Sequence, residues 1–388
     1  MCFGPLEVAY DLEAARGVVT RERIAAGPAS IWRYADLLPD HGGHPVDLGA
    51  GWTPLRRADR LAAELGLDEL WLKDDTRNPT GSFKDRVVSC ALSSAQRLGF
   101  TTAACASTGN LATSVAAHAA ALGWPSVTVI PSDLEKSKVA MTAIFGGTVL
   151  AVDGNYDDVN RLCAELVDSH PDWAFANVNL RAYYAEGSKT LAYEIAEQLG
   201  WQLPAQVLAP IASGSQLTKI AKGFREFREL GLVSGELPTM FGAQAAGCSP
   251  VASALADGTN VIRPVKPNTI ARSLAIGNPA DGPYAIDEMR ASGGDCGSVT
   301  DDDVLESIAQ LARTEGVFAE TAGGVVIASL RQLVERGSID RHRPVVAIIS
   351  GHGLKTLDAI VETATPTAVI SPKLADAEAA LARFHHME

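Results

Sequence analysis

The stretch "LKDDTRNPTGSFKDR", residues 72–86, crowds turn-forming residues and charges around one lysine, Lys84. A lysine kept for solubility needs no special setting. Lys84 follows "NPTGS", a run that bends the backbone and offers amide and hydroxyl donors, Ser82 among them. Whether that setting serves chemistry depends on what the rest of the chain brings to it.

From about residue 100 onward, small and β-branched runs alternate with helical patterns: "TTAACAS", "NLATSVAAHAAALG", "PSVTVI", "EKSKVAMTAIFG", "TVLAV", "YDDVNRLCAELVDS". The rhythm returns at "AQVLAPI" followed by "QLTKIAKGFREFREL", and at "PVVAIIS" near the end. Such alternation predicts an α/β fold of parallel strands with helices on both faces. Between about 255 and 300 it weakens. There "KPNTIARSLAIGNPADGPYA", rich in Pro, Gly and Asn, predicts an excursion over the surface or beside a site. The tail "KLADAEAALARFHHME" predicts an exposed terminal helix.

In open parallel sheets, ligands sit beyond the carboxyl ends of strands, where loops lead into helices. Three loops qualify. "ASTGNLA", 106–112, sets Ser107, Thr108, Gly109 and Asn110 between an apolar strand and an Ala-rich helix. It reads either as a cradle whose amides approach a carboxylate or phosphate, or as an ordinary Ser or Thr cap. "APIASGSQLTK", 209–219, repeats that topology, and the amides of Ser213 to Gln216 can cradle a phosphate. It has neither the spacing of a nucleotide P-loop nor the three glycines of a dinucleotide fingerprint. "ISGHGLK", 349–355, ends the last strong strand on Ser350, whose hydroxyl can bond a ring nitrogen or a substrate atom, while His352 reads as structural. A lysine able to form a Schiff base, two anion cradles and a strand-end hydroxyl are the parts that pyridoxal phosphate chemistry requires.

Composition narrows the alternatives. With 388 residues, 47% hydrophobic and 20% charged, the chain can bury a large core and ordinarily divides into two domains. A net charge of −13 and the lack of any Lys- and Arg-rich segment exclude a broad nucleic-acid surface. No run has the length of a membrane span, and the first residues carry no signal pattern. Six scattered cysteines, none in a CxxC pair, fit reduced thiols in a cytoplasmic protein rather than a zinc site or a disulfide framework.

"NPTGSFKDR", "ASTGN", "RAYYAEGSKT", "FAETAGGV" and "SGHGLK" stand in the order found in threonine synthases. Over nearly its whole length the chain resembles that family, pyridoxal phosphate enzymes of the tryptophan synthase β fold (fold type II). The resemblance implies two open, mostly parallel sheets with helices on both faces. It implies a large cofactor-binding domain of residues 1–88 and 185–388, and a small mobile substrate domain of residues 89–184. A cytoplasmic homodimer acting on a small phosphorylated amino acid, without nucleic acid, membrane or metal, is implied as well. Lys84 corresponds to the lysine that binds pyridoxal 5'-phosphate and then moves protons, Asn110 to the asparagine on the pyridine 3-oxygen, and Ser350 to the hydroxyl facing the pyridine nitrogen. Ala212, Ser213, Gly214, Ser215 and Gln216 correspond to the cofactor-phosphate loop, and Ser82, Ser107, Thr108 and Gly109 to residues around the substrate. The implied reaction converts O-phospho-L-homoserine and water to L-threonine and phosphate.

Two departures from the family pattern matter. The cofactor-phosphate loop, often a glycine and asparagine run, is here "ASGSQ", with Gly214 alone retained. Many threonine synthases carry an arginine just before the "EG" that reads the substrate's phosphate; this chain has Tyr184 and Ala185 there. Asn179 and Arg181 are then the candidate phosphate readers, or else surface residues. The second departure leaves open a β-replacement or β-elimination enzyme, cysteate synthase-like or threonine dehydratase-like.

Overall fold

Buried runs of small and β-branched residues form the sheets that the alternation predicts. The computed structural model describes residues 6–39, 43–107, 109–154, 156–361 and 364–384; Thr108 lies outside the described residues. In chain order the strands among them are β1 (Leu55–Arg57), β2 (Leu70–Asp74), β3 (Thr102–Ala106), β4 (Ser126–Pro131), β5 (Thr148–Val152), β6 (Trp173–Phe175), β7 (Gln206–Pro210), β8 (Thr239–Ala245), β9 (Cys296–Val299) and β10 (Val345–Ile349). One sheet has the order β1-β2-β10-β7-β8-β9 and the other β5-β4-β3-β6. Only β1 runs antiparallel to its neighbour.

Helices cover both faces of each sheet, which explains why the central strands read as continuous apolar runs. β10 is buried at every residue. Val345, Ala347 and Ile349 pack on one face with Val325 and Leu330 of the helix Thr321–Glu335, while Val346 and Ile348 pack on the other with Ile220 and Phe224 of Ser215–Glu229. In the smaller sheet, Ala103 and Cys105 of β3 pack with the helices Lys84–Arg97 and Asn110–Leu122, and Ala104 and Ala106 with Tyr156–Ser169. The alternation along each strand is the period-2 geometry of extended backbone.

The Pro- and Gly-rich excursion does run beside a site, with Ser273, Asn278 and Asp281 on a cavity wall, and it ends in the helix Gly282–Ala291 followed by β9. The terminal helix Leu374–Phe384 is present, with Leu374 and Leu381 exposed. Among the described residues no helix is long and apolar enough to cross a membrane.

One local feature brings the opening stretch to the sheet. The backbone of Gly81–Phe83 lies antiparallel to the exit of β10: Phe83 N–H donates to Ser350 O at 2.9 Å and His352 N–H to Gly81 O at 2.9 Å. Ser82 pairs with Gly351 as an isolated bridge. The "NPTGS" turn therefore delivers Lys84, first residue of the helix Lys84–Arg97, to the carboxyl end of β10.

Candidate active site

Lys84, Ser107, Asn110, Arg181, Ala212, Ser213, Gly214, Ser215, Gln216 and Ser350 all line one cavity of about 400 Å³ between the two sheets. Residues from four separate strand exits converge there, as ligand sites in parallel sheets require. Ser82 is fully buried beside the cavity and Gly109 stands at the start of the helix Asn110–Leu122, but neither is on the cavity wall. Asn179 points elsewhere, its Nδ2 donating to Trp173 O at 3.0 Å.

The charges around Lys84 divide into one reactive group and a structural frame. Asp85 accepts from Thr80 N–H at 2.7 Å, Thr80 Oγ1 at 2.8 Å and Ser114 Oγ at 2.6 Å, which fastens the turn to the next helix. Arg86 binds Asp75 through two nitrogens, at 2.7 and 2.8 Å, and also Glu194. Lys73 donates to Glu194 Oε2 at 2.6 Å. The Lys84 amine has no carboxylate against it. Its Nζ donates to Tyr184 Oη at 2.8 Å and lies 4.4 Å from the centre of the Phe83 ring. Withdrawal from water lowers its pKa to about 8, against the opposing pull of Glu320. A lysine near neutrality is nucleophilic and can carry protons in both directions.

Both anion cradles are helix N-termini. Ser107 Oγ accepts from Gly109 N–H and Ala112 N–H, each at 2.9 Å, so its side chain closes the N-terminus of Asn110–Leu122 from two residues ahead of the N-cap Gly109. The two readings of that loop are compatible, because a hydroxyl that accepts two bonds keeps its own proton to donate. Gly214 precedes the helix Ser215–Glu229 with φ +99, and a Cβ there would stand 2.6 Å from Asp281 O. Ser215 N–H donates to Ser213 Oγ at 3.3 Å, while the amides of Gln216 and Leu217 have no partner within the helix, and Gln216 Nε2 is buried with no partner. Those orphan donors are what a phosphate needs. Asn110 Nδ2 donates to both oxygens of Glu320, at 2.9 and 2.8 Å, and its Oδ1 has no partner.

Sequence reasoning passed over Tyr184 as a contact of Lys84, Glu320 as the partner of Asn110, and Asp281, which pairs with Arg181 at 2.6 Å. Glu320 left a legible signal, as a carboxylate inside the apolar and glycine-rich "FAETAGGV". Tyr184 and Asp281 left none, since each matters through a residue distant in sequence.

A family model described as "Pyridoxal-phosphate dependent enzyme" matches residues 46–351. The threonine synthase of Methanocaldococcus jannaschii is 39% identical over 363 residues, covering 93% of this chain and 89% of the relative. That of Methanosarcina acetivorans is 37% identical over 375 residues, covering 96% and 91%. The chain belongs to the threonine synthase family of pyridoxal-phosphate dependent enzymes. The fold agrees with other members of the wider group: the processed form of threonine deaminase isoform 2 from Solanum lycopersicum superposes with a TM-score of 0.67 at 20% identity, over 93% of this chain and 90% of that one.

Pyridoxal phosphate fits this family member's own residues: a lysine of lowered pKa inside the cavity, orphan donors at a helix N-terminus, and a glycine where a side chain would collide. Gly214→Ala tests the fit. The positive φ alone costs an alanine about 1–2 kcal/mol, and its Cβ would press on Asp281 O. The dissociation constant of the cofactor, read by visible absorbance titration, is expected to rise roughly tenfold or more. An unchanged constant would remove the loop from the cofactor site.

Proposed function

We propose that this chain is a threonine synthase, converting O-phospho-L-homoserine and water to L-threonine and phosphate. The observation that carries the reading is a lowered-pKa lysine between two helix N-termini, in a chain 39% identical to a threonine synthase along 93% of its length. When bound, pyridoxal phosphate supplies a conjugated ring that takes up the electron pair left when the substrate's α proton is removed.

The chain's residues do the rest. Ser213 to Gln216 hold the cofactor's phosphate on helix amides and side-chain donors. Asn110 and Ser350 position its ring. Ser107 donates its hydroxyl proton to the substrate carboxylate, with the helix N-terminus behind it. Lys84 moves protons between the α, β and γ carbons; the γ carbon–oxygen bond breaks with the electron pair leaving on phosphate, the hydroxyl of water joins the β carbon, and the water's other proton goes to the departing phosphate. Arg181 supplies charge for the phosphate, in place of the arginine that Tyr184 replaces. Tyr184 orients the Lys84 amine through its 2.8 Å bond. We place the moving unit at residues 89–184, closing on the cavity to exclude water until the addition step. Ion pairs reach across from it at Arg181–Asp281 and at Asp133–Arg272. A cytoplasmic homodimer completes the reading.

The second reading, a β-replacement or β-elimination enzyme, is favoured by Tyr184 and Ala185 at the family's arginine position. A substrate panel separates the two. O-phospho-L-homoserine is expected to give threonine and phosphate with kcat/KM at least about 100-fold above the turnover of O-phospho-L-serine or threonine. Ammonia and a 2-oxo acid from threonine, with no threonine made from O-phospho-L-homoserine, would select the second reading.

A further inference from the structure

Arg181 and Asp281 come from opposite sides of the cavity. Arg181 follows β6 of the smaller sheet and opens the helix Arg181–Glu186; Asp281 precedes the helix Gly282–Ala291 beside the larger sheet. Their side chains meet at 2.6 Å, with 35% of the arginine side chain exposed and 9% of the aspartate. The aspartate is anchored. Its N–H donates to Ser213 O at 2.9 Å, its carbonyl accepts from Ala285 N–H at 3.0 Å, and that carbonyl is the group against which a Cβ at Gly214 would collide. The arginine, on a long and part-exposed stem, is the partner free to swing.

A fixed carboxylate on the wall of a cavity that takes a phosphorylated substrate is otherwise a liability, since like charges repel in a site withdrawn from water. We propose that Asp281 is a specificity-determining residue: it holds Arg181 in the resting site as a stand-in for the substrate's phosphate, and a dianionic phosphomonoester must take the guanidinium from it to bind. This rests on the reading of Arg181 as the phosphate reader. A phosphate brings nearly two charges and three strong acceptor oxygens, which match the guanidinium fork better than one carboxylate does. The hydroxyl of serine, threonine or homoserine has no charge with which to compete and leaves the pair closed. Discrimination thus comes from a repulsive group as well as an attractive one. Because Asp281 also bonds the cofactor-phosphate loop through its main chain, release of Arg181 breaks a tie between the two sides of the cavity and leaves the loop in place.

The test is the binding of inorganic phosphate to the cofactor-loaded protein by calorimetry, in the wild type, Asp281→Asn, Arg181→Gln and the double variant. A pair that leaves Arg181 free only part of the time weakens apparent affinity by that fraction. Asp281→Asn is therefore expected to bind phosphate about three- to tenfold more tightly, Arg181→Gln to bind at least about tenfold more weakly, and the double variant to match Arg181→Gln. The KM for O-phospho-L-homoserine is expected to fall in Asp281→Asn by more than kcat changes, with the visible cofactor band retained. Asp281→Ala serves if the asparagine variant keeps a bond to Arg181. Affinity in both Asp281 variants equal to or below wild type, with Arg181→Gln weak, would overturn the proposal and leave Arg181 as the reader. Wild-type affinity in Arg181→Gln would overturn that reading and this proposal with it. Loss of the cofactor band in Asp281→Asn would make the residue structural and also overturn the proposal.

Discussion

Lys84→Ala is expected to lower threonine formation by at least about 10³-fold, the scale of losing both a nucleophilic amine and the acid–base group of several proton transfers. The visible band of lysine-held cofactor should vanish with it. Folding should survive, because the amine makes no ion pair and its polar partner is Tyr184. Lys84→Arg should fail equally: a guanidinium keeps the charge but stays protonated throughout the working range. The pH dependence follows from the lysine's lowered pKa. The neutral amine is the reactive form, so the rate at which cofactor-free wild type captures pyridoxal phosphate should rise with pH and level off above about 8. A lysine in open water would level off near 10.5. Retention of more than a tenth of the activity in Lys84→Ala would place the chemistry on another residue.

The second large effect is on stability. Glu194 is fully buried, takes charge from both Arg86 and Lys73, and accepts from Trp52 N–H at 2.7 Å. Removing one charge of a buried cluster leaves the others uncompensated, and Glu194→Gln is expected to cost about 3–5 kcal/mol in urea unfolding. Asp75 still faces Arg86, so Lys73 bears most of that loss. Acid should reproduce the effect in the wild type. Burial alone pushes the Glu194 carboxyl up, but Arg86 and Lys73 outweigh it and hold it at about 2, below its ordinary 4.5. A carboxyl depressed by folding stabilises the folded state fully above 4.5 and loses that contribution as the pH falls toward about 2. The wild type should therefore lose stability through that interval more steeply than Glu194→Gln. Glu186, held at about 2 by Lys189, Lys219 and Lys222 against the upward push of burial, adds a second contribution of the same sign that the variant keeps. Parallel acid profiles for the two proteins would show that Glu194 does not carry the difference.

The strands that were legible in the sequence are those flanked by clear turns, β3, β4, β5, β7 and β10. Others were not, for physical reasons. β8 is "TMFGAQA", whose Gly242 leaves room for Ile211, Met289 and Cys296 to close in, so the strand carries neither alternation nor a continuous apolar run. β9, "CGSV", is short, and a Cβ at its Gly297 would stand 2.5 Å from Ser329 Cβ. β2 lies in the same run as the opening stretch, where the charges of Lys73 and Asp74 interrupt the apolar pattern; both are buried, because Glu194 and Thr76 meet them there. Burial of a charge is decided by its partner, and the partner of Lys73 is more than a hundred residues away.

What the sequence determined by itself was local. Turn chemistry marks "NPTGS", small residues mark the loops at the exits of β3 and β7, and a lysine stands three residues after the turn glycine, Gly81, at the start of a helical pattern. Each of these follows from a few neighbouring residues and the backbone geometry they favour. Only the tertiary structure decided which groups meet. The order β1-β2-β10-β7-β8-β9 sets Lys84 at the exit of β10, and packing of the two sheets brings Tyr184 to Lys84, Glu320 to Asn110 and Asp281 to Arg181, across separations of 100, 210 and 100 residues. Such contacts depend on how whole layers are stacked, and no local pattern in the chain encodes that stacking.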